Sequence, residues 1–347
     1  MSAPSSVPRR GVIRCLVAAL LFGASAPAAS VLAGDMPTLV LAGLLYVGAA
    51  LAVLPTVARH RPTAAALRGG GRPLILAVVF GGAIGPALLV AGLERVPAAT
   101  ASLLLNFELV ATVALAAFVF REHLGRRLLV AAGLVGFAGV LLVWEPGVAV
   151  DVGGLLVIGA CIAWGIDNSV TARIDQLSPE QITFTKGAVA GTANLLLGIV
   201  LATAWNVEIR QIAVALLIGA LGYGASITLW VKGARDLGAA RGQIIFATAP
   251  FVGAVLSWTL LGESVTAVQA LAVPLAAAGV ALSLRTAHEH VHRHSVVEHE
   301  HEHRHDDEHH DHHTSDVPVG RHVHRHRHDA VEHAHPHVPD LHHGHAH

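Results

Sequence analysis

Residues 92–124 read GLERVPAATASLLLNFELVATVALAAFVFREHL, and residues 233–265 read GARDLGAARGQIIFATAPFVGAVLSWTLLGESV. The two stretches lie on each other without a gap. Gly92 falls on Gly233, Ala98 and Ala99 on Ala239 and Ala240, Leu115 on Leu256, and Glu122 on Glu263; with one residue dropped, Gly139-Val140 then falls on Gly279-Val280. Both run from a polar connection into an apolar segment too long, and too rich in Ala, Leu and Gly, for a barrel strand. Such segments recur. A bilayer core takes about 17 to 25 apolar residues per helix, and ten can be drawn, at 13–33, 38–57, 73–92, 98–120, 127–145, 152–171, 183–204, 211–231, 238–260 and 265–284. Five spans per copy is an odd number, so the second copy must enter the membrane upside down relative to the first. The expected fold is all-α and integral to the membrane: ten transmembrane helices as two inverted five-helix repeats at 13–145 and 152–285. A cytoplasmic segment, 1–12, precedes them, and a disordered His-rich cytoplasmic tail, 286–347, follows.

Composition agrees. Of 347 residues, 53% are hydrophobic and 14% charged, with a mean hydropathy of +0.58, more apolar surface than one soluble core can bury. A soluble enzyme is excluded on that ground. Gly69-Gly70-Gly71 lacks the following GK[ST] of a phosphate loop, so no ATP-driven pump is expected. Charge supplies an independent test of the span count. Arg9, Arg10, Arg14, Arg59, Arg61, Arg68, Arg72, Arg121, Arg126, Arg127, Arg173, Lys232, Arg235, Arg241 and Arg285 fall on one side, and only Arg95 and Arg210 on the other. That bias places both termini in the cytoplasm of a bacterial-type inner membrane. Trp144, Trp205 and Trp258 fall near outer helix ends, as interfacial aromatics should. The first span, with Arg9 and Arg10 before it and small residues at Ala26 to Ala29, also fits a cleavable leader. Losing it would leave nine spans and need the reverse start. Cys15 and Cys161 lie in apolar runs without ligand or redox spacing and read as packing residues.

Leu20-Leu21-Phe22-Gly23-Ala24-Ser25-Ala26-Pro27 in the first span, the span-end glutamates Glu122 and Glu263, and the two Gly-Val pairs resemble the EamA-type family of the drug/metabolite transporter superfamily over about residues 15–285. The resemblance implies ten helices in two inverted repeats and export or exchange of small solutes without ATP. One departure stands out: the first repeat carries Glu108 where the second carries Ala249, beside Pro250.

Ionisable groups inside a span cost about 2.5 to 3.5 kcal/mol each on insertion scales and persist where they pair or face a wet cavity. Glu108 lies near the centre of span four, with Asn106 two residues before it. Asp167 and Asn168 lie about one turn from the inner end of span six, and Lys186 about one turn into span seven. The short loop between those spans puts Asp167 and Lys186 at similar depth, where they can form an ion pair. A structural clamp, or a Lys186 that snorkels to the headgroups, competes with a transport role. Glu108 reads as a proton carrier or a ligand for a cationic substrate. Asn194, Tyr223 and Gln243 read as interhelical hydrogen-bonding groups with a secondary claim to the substrate path. Glu122 and Glu263 read as helix-end or gate residues at opposite faces. Pro86, Pro250 and Pro274 read as helix interruptions.

Of the 25 histidines, all but His60 and His123 follow residue 287. They repeat as His-X-His at His299, His301, His303 and His305 and at His322, His324, His326 and His328. In an extended chain residues i and i+2 share a side, so such imidazoles can close on Zn, Ni, Co or Cu. Metal storage, pH sensing and an adventitious low-complexity tail all remain open. No persistent basic tract points to nucleic acid. No cofactor is required, the expected partners are lipid and a small-molecule substrate, and a homodimer is compatible with the sequence. The leading reading is a proton-coupled or exchanging exporter of a small metabolite. Efflux of a divalent transition metal fed by the tail is the second, and a non-transporting anchor for a metal-storing tail the third.

Overall fold

The structure, a computed structural model, describes residues 9–118, 126–143, 151–171, 174, 176–202, 206–237 and 245–283, together with the backbone of 288–293, 297–303, 322–328 and 332–337. The chain divides into two units, Met1–Thr286 with Asp340–His347, and Ala287–Pro339.

In the first unit eight described helices are long and apolar enough to cross a membrane. They are α1 (Arg9–Ser30), α2 (Thr38–Arg59), α3 (Ala64–Leu93), α4 (Ala98–Leu115), α5 (Arg126–Val143), α6 (Val152–Thr171), α7 (Pro179–Leu201) and α8 (Ile209–Gly233). Two shorter apolar helices follow, α9 (Ala249–Leu260) and α10 (Ala267–Leu282). These stand where the ninth and tenth spans were expected, but fall short of that length among the described residues.

Local chemistry sets several boundaries. The Thr63 hydroxyl accepts from the Ala66 N–H and starts α3 about three turns before the expected span. That helix bends at Gly71, whose φ of 37° only glycine adopts without strain. Ser178 and Gln181 form a capping box with Pro179 in the first turn, which starts α7 at Pro179 rather than at 183. Pro250 sits in the first turn of α9, and Pro86 at the start of a helical segment within α3. At the start of α9 Pro250 sacrifices no helical hydrogen bond, whereas Pro86 lies inside the continuous α3 just after its π segment and supplies no N–H to the turn before it, an interruption of that ladder. Pro274 is inside its helix, as are Pro27 and Pro55.

The packing is reciprocal between the halves. α2 packs on α7, α4 on α9 and α5 on α10, while α1 lies against α8 and α3 against α6. Exchanging first-repeat and second-repeat positions maps this set of contacts onto itself. Helix α2 is the most buried and takes its neighbours at backbone distance: a Cβ on Gly219 would stand 1.9 Å from the Leu45 carbonyl oxygen, and one on Gly48 2.2 Å from that of Leu216. Close approach replaces the hydrophobic drive that lipid does not supply.

In the second unit four short strands are described by their backbone. β1 (His288–Arg293) pairs antiparallel with β4 (Glu332–His337), and β2 (Val297–His303) with β3 (His322–His328). The register sets His299 opposite His326, His301 opposite His324 and His303 opposite His322. Glu298 then lies opposite Arg327 and Glu300 opposite Arg325.

Gly219→Ala is expected to lower the melting temperature of the detergent-solubilised protein, through an overpacking cost of about 1 to 3 kcal/mol. Gly133→Ala, whose Cβ would meet nothing within 4 Å, should leave it within the roughly 0.5 kcal/mol range of neutral substitutions.

Candidate functional site

A cluster of charged and amide side chains is built from three helices, with Asp167 buried and Asn168 exposed. Glu108 on α4 accepts through Oε1 from Asn168 Nδ2 on α6 at 2.5 Å. One residue away, Asp167 Oδ2 lies 2.7 Å from Lys186 Nζ on α7, and Asp167 Oδ1 accepts from the Thr171 hydroxyl at 3.0 Å. Asp167 is 4% exposed, so its ion pair is shielded from solvent. Asp167 and Lys186 are also close enough to Glu108 to act on it through space. Four of the five principal residues named from the sequence therefore gather here. Asn106 does not join them. The helix turns at residues 105–106, and its Nδ2 donates to the Leu103 carbonyl at 3.0 Å, serving the backbone of its own turn.

Sequence reading missed how the backbone is wound around these groups. Three helices contain π-helical segments: Ala77–Ile84 in α3, Gly187–Gly191 in α7 and Ala220–Ala225 in α8. Such segments shift the i→i−4 pattern and recur at functional sites. Carbonyls of the first serve side chains instead: Trp164 Nε1 donates to Gly81 O at 3.3 Å, and Asn194 Nδ2 to Ala83 O at 3.0 Å. Asn194 is thus the interhelical bond expected of it. Gly81 also makes room for the ion pair, since a Cβ there would stand 2.1 Å from Asp167 Oδ2. Lys186 immediately precedes the second segment, and the third carries Tyr223. The available sign was glycine in mid-span, at Gly81-Gly82, Gly187, Gly191, Gly222 and Gly224.

Aromatic rings continue the site. Tyr223 stands 5.7 Å from Tyr46 and 6.0 Å from Phe22, Phe22 lies 5.2 Å from Phe246, and Phe246 5.5 Å from Trp230, all between ring centroids. Tyr46 lies within electrostatic reach of both Asp167 and Glu108, which joins this row to the polar cluster. At its far end the Trp230 indole N–H is buried without an acceptor among the described residues.

Glu263 is elsewhere, in the segment between α9 and α10, and its carboxylate accepts from the backbone N–H groups of Ala98 and Ala99. Glu122, Gln243 and His305 lie outside the described residues, as do Trp144 and Trp205. His299, His301, His303, His322, His324, His326 and His328 are described by backbone alone. Among the residues whose side chains are described, no three His, Cys, Asp or Glu groups are placed to hold a metal ion.

Because a buried charge stripped of its partner is expensive, Asp167→Asn should destabilise the protein by about 3 to 5 kcal/mol. The pair Asp167→Asn with Lys186→Met should recover most of that loss. Thermal unfolding of the two purified variants checks this; equal destabilisation in both would count against a buried ion pair.

The model of the EamA-like transporter family matches the chain twice, at residues 9–144 and 151–285. An uncharacterized transporter of Methanothermobacter thermautotrophicus is 24% identical over 282 residues, covering 75% of this chain and 82% of its own. An uncharacterized protein of Pseudomonas aeruginosa is 29% identical over 226 residues, covering 63% and 74%. A solved crystal structure superposes with a TM-score of 0.57 at 20% identity, over 79% of this chain and 95% of its own, a likeness of fold. With its family model matched once in each half, the chain belongs to the EamA-like transporter family.

Proposed function

We propose that the chain is a secondary inner-membrane transporter that exports a small organic metabolite by proton coupling or exchange. The observation that carries this reading is the state of Glu108. Its hydrogen-bond partner is a neutral amide, Asn168, whereas the nearby Lys186 is held by Asp167. Asp167 and Lys186 cancel, so the cluster keeps one negative charge that a proton or a cationic substrate group can neutralise. Glu108 is then the site where proton and substrate compete. The aromatic row from Tyr46 to Trp230 offers stacking faces for an apolar body, and the Trp230 N–H a donor for a carbonyl or carboxylate.

The test compares metabolites released by otherwise identical cells carrying the wild type, Glu108→Gln or no copy. The wild type should raise the medium level of at least one organic solute. Glu108→Gln should purify with an unchanged melting temperature and release no more than the strain without the protein. Undiminished release by that variant would remove Glu108 from the mechanism.

A second reading, efflux of a divalent transition metal, is favoured by the tail, whose His-X-His repeats run along β2 and β3 with His299, His301 and His303 in register with His326, His324 and His322. The tail in this proposal binds Zn, Ni, Co or Cu through paired imidazoles. Deleting residues 288–347 should abolish tight metal retention by the purified protein. Metal tolerance should fall with it if metal is the cargo, and stay unchanged if the cargo is organic.

A further inference from the structure

We infer that Glu263, with Gln269 beside it, is a clasp between the two repeats that holds one mouth of the transporter shut and must release for that mouth to open. The contact lies at the start of α4. A helix leaves its first N–H groups without intrahelical acceptors, and in a membrane protein each one left unsatisfied costs several kcal/mol. The residue before this helix is Pro97, which supplies no side-chain cap. The acceptor comes from the other repeat: Glu263 Oε1 takes the Ala98 N–H at 2.7 Å, and Oε2 the Ala99 N–H at 2.9 Å. One carboxylate thus caps the first two donors of the helix, in the charge-assisted form that makes the strongest hydrogen bonds.

A third bond crosses at the next residue. Gln269 Nε2 donates to the Thr100 hydroxyl at 3.0 Å. The Gln269 amide is aimed beforehand, because its Oε1 accepts from Trp258 Nε1 at 3.2 Å and from the Thr266 N–H at 3.1 Å. Gln269 is 2% and Thr100 9% exposed, so water does not replace these partners while the contact is closed. The three bonds join consecutive residues of one repeat to the α9–α10 connection and the first turn of α10 in the other, at the membrane face that carries the Arg95 loop.

A bond that spans two repeats which must move against each other, at a helix end instead of mid-bundle, is suited to a gate. When it opens, the Ala98 and Ala99 N–H groups and the Glu263 carboxylate meet entering water, so breaking it is affordable only as the mouth wets. The sequence identities fall on the same residue types. Ala98, Ala99 and Glu263 are among the few positions the two repeats share, their counterparts being Ala239, Ala240 and Glu122.

This inference rests on the transporter reading, but its test needs no substrate. Spin labels on Arg95→Cys and Ser264→Cys flank the clasp, and the native Cys15 and Cys161 are buried. Pulsed-resonance distances are then recorded on the full-length protein in lipid vesicles. The wild-type clasp should give a dominant short distance. Glu263→Ala should shift the ratio of long to short by about tenfold or more, as expected from losing at least one charge-assisted hydrogen bond. Glu263→Gln, which keeps one carbonyl acceptor, should fall between, and Thr100→Val should move the same way by less. An unchanged distance distribution in a well-folded Glu263→Ala protein, even with a lowered melting temperature, makes the contact merely structural and overturns the inference. A population shift without any solute release by the wild type would instead retain the clasp and defeat the metabolite reading.

Discussion

Inside a hydrocarbon layer no water completes an unfinished hydrogen bond, and each polar group must find its partner within the protein. That constraint organises this molecule at every scale. It makes the long apolar segments helical, because a helix satisfies its own backbone. It also makes each departure from helical regularity informative, since the groups so released must be answered from elsewhere. The carbonyls of Gly81 and Ala83, within the π segment of α3, are answered by Trp164 and Asn194. The Leu103 carbonyl, at the turn in α4, is answered by Asn106. The N–H groups that open α4 are answered by Glu263 from the other repeat.

The charged groups obey the same rule with larger stakes. Asp167 and Lys186 neutralise one another in a place shaped for them by the missing side chain of Gly81. Glu108 receives only an amide. The site thus combines a fully matched ion pair with a carboxylate whose partner is neutral. The π segments contribute by placing irregular backbone next to these groups in three different helices.

Packing then decides what can move. Helix α2 is locked at backbone distance to α7 and α8 through Gly43, Gly48 and Gly219, a contact with no slack for sliding. The contact of α4 with α9 and α10 packs Ala99 and Leu103 against Ala254 and adds directional hydrogen bonds at its helix end. The two contacts therefore differ in kind: backbone held against backbone at the centre, and hydrogen bonds added to apolar packing at the helix end.

Much of this was legible in the residues themselves. Length and apolarity gave helices, and the match between 92–124 and 233–265 gave the internal repeat, because both depend only on local composition and periodicity. The Asp167–Lys186 pair was legible too, since a short loop fixes the relative depth of its two helices. The Glu108–Asn168 bond and the aromatic row were not, for they join residues far apart in sequence, and only the way the helices pack brings them together. Asn106 looked as promising as Asn168 by position, yet a turn in its own helix gave it a backbone acceptor. Glu263 could be named as a helix-end residue from its place in the repeat, but its acceptor role belongs to tertiary structure: the donors it caps are in the opposite half, and their need arises because Pro97 cannot cap them.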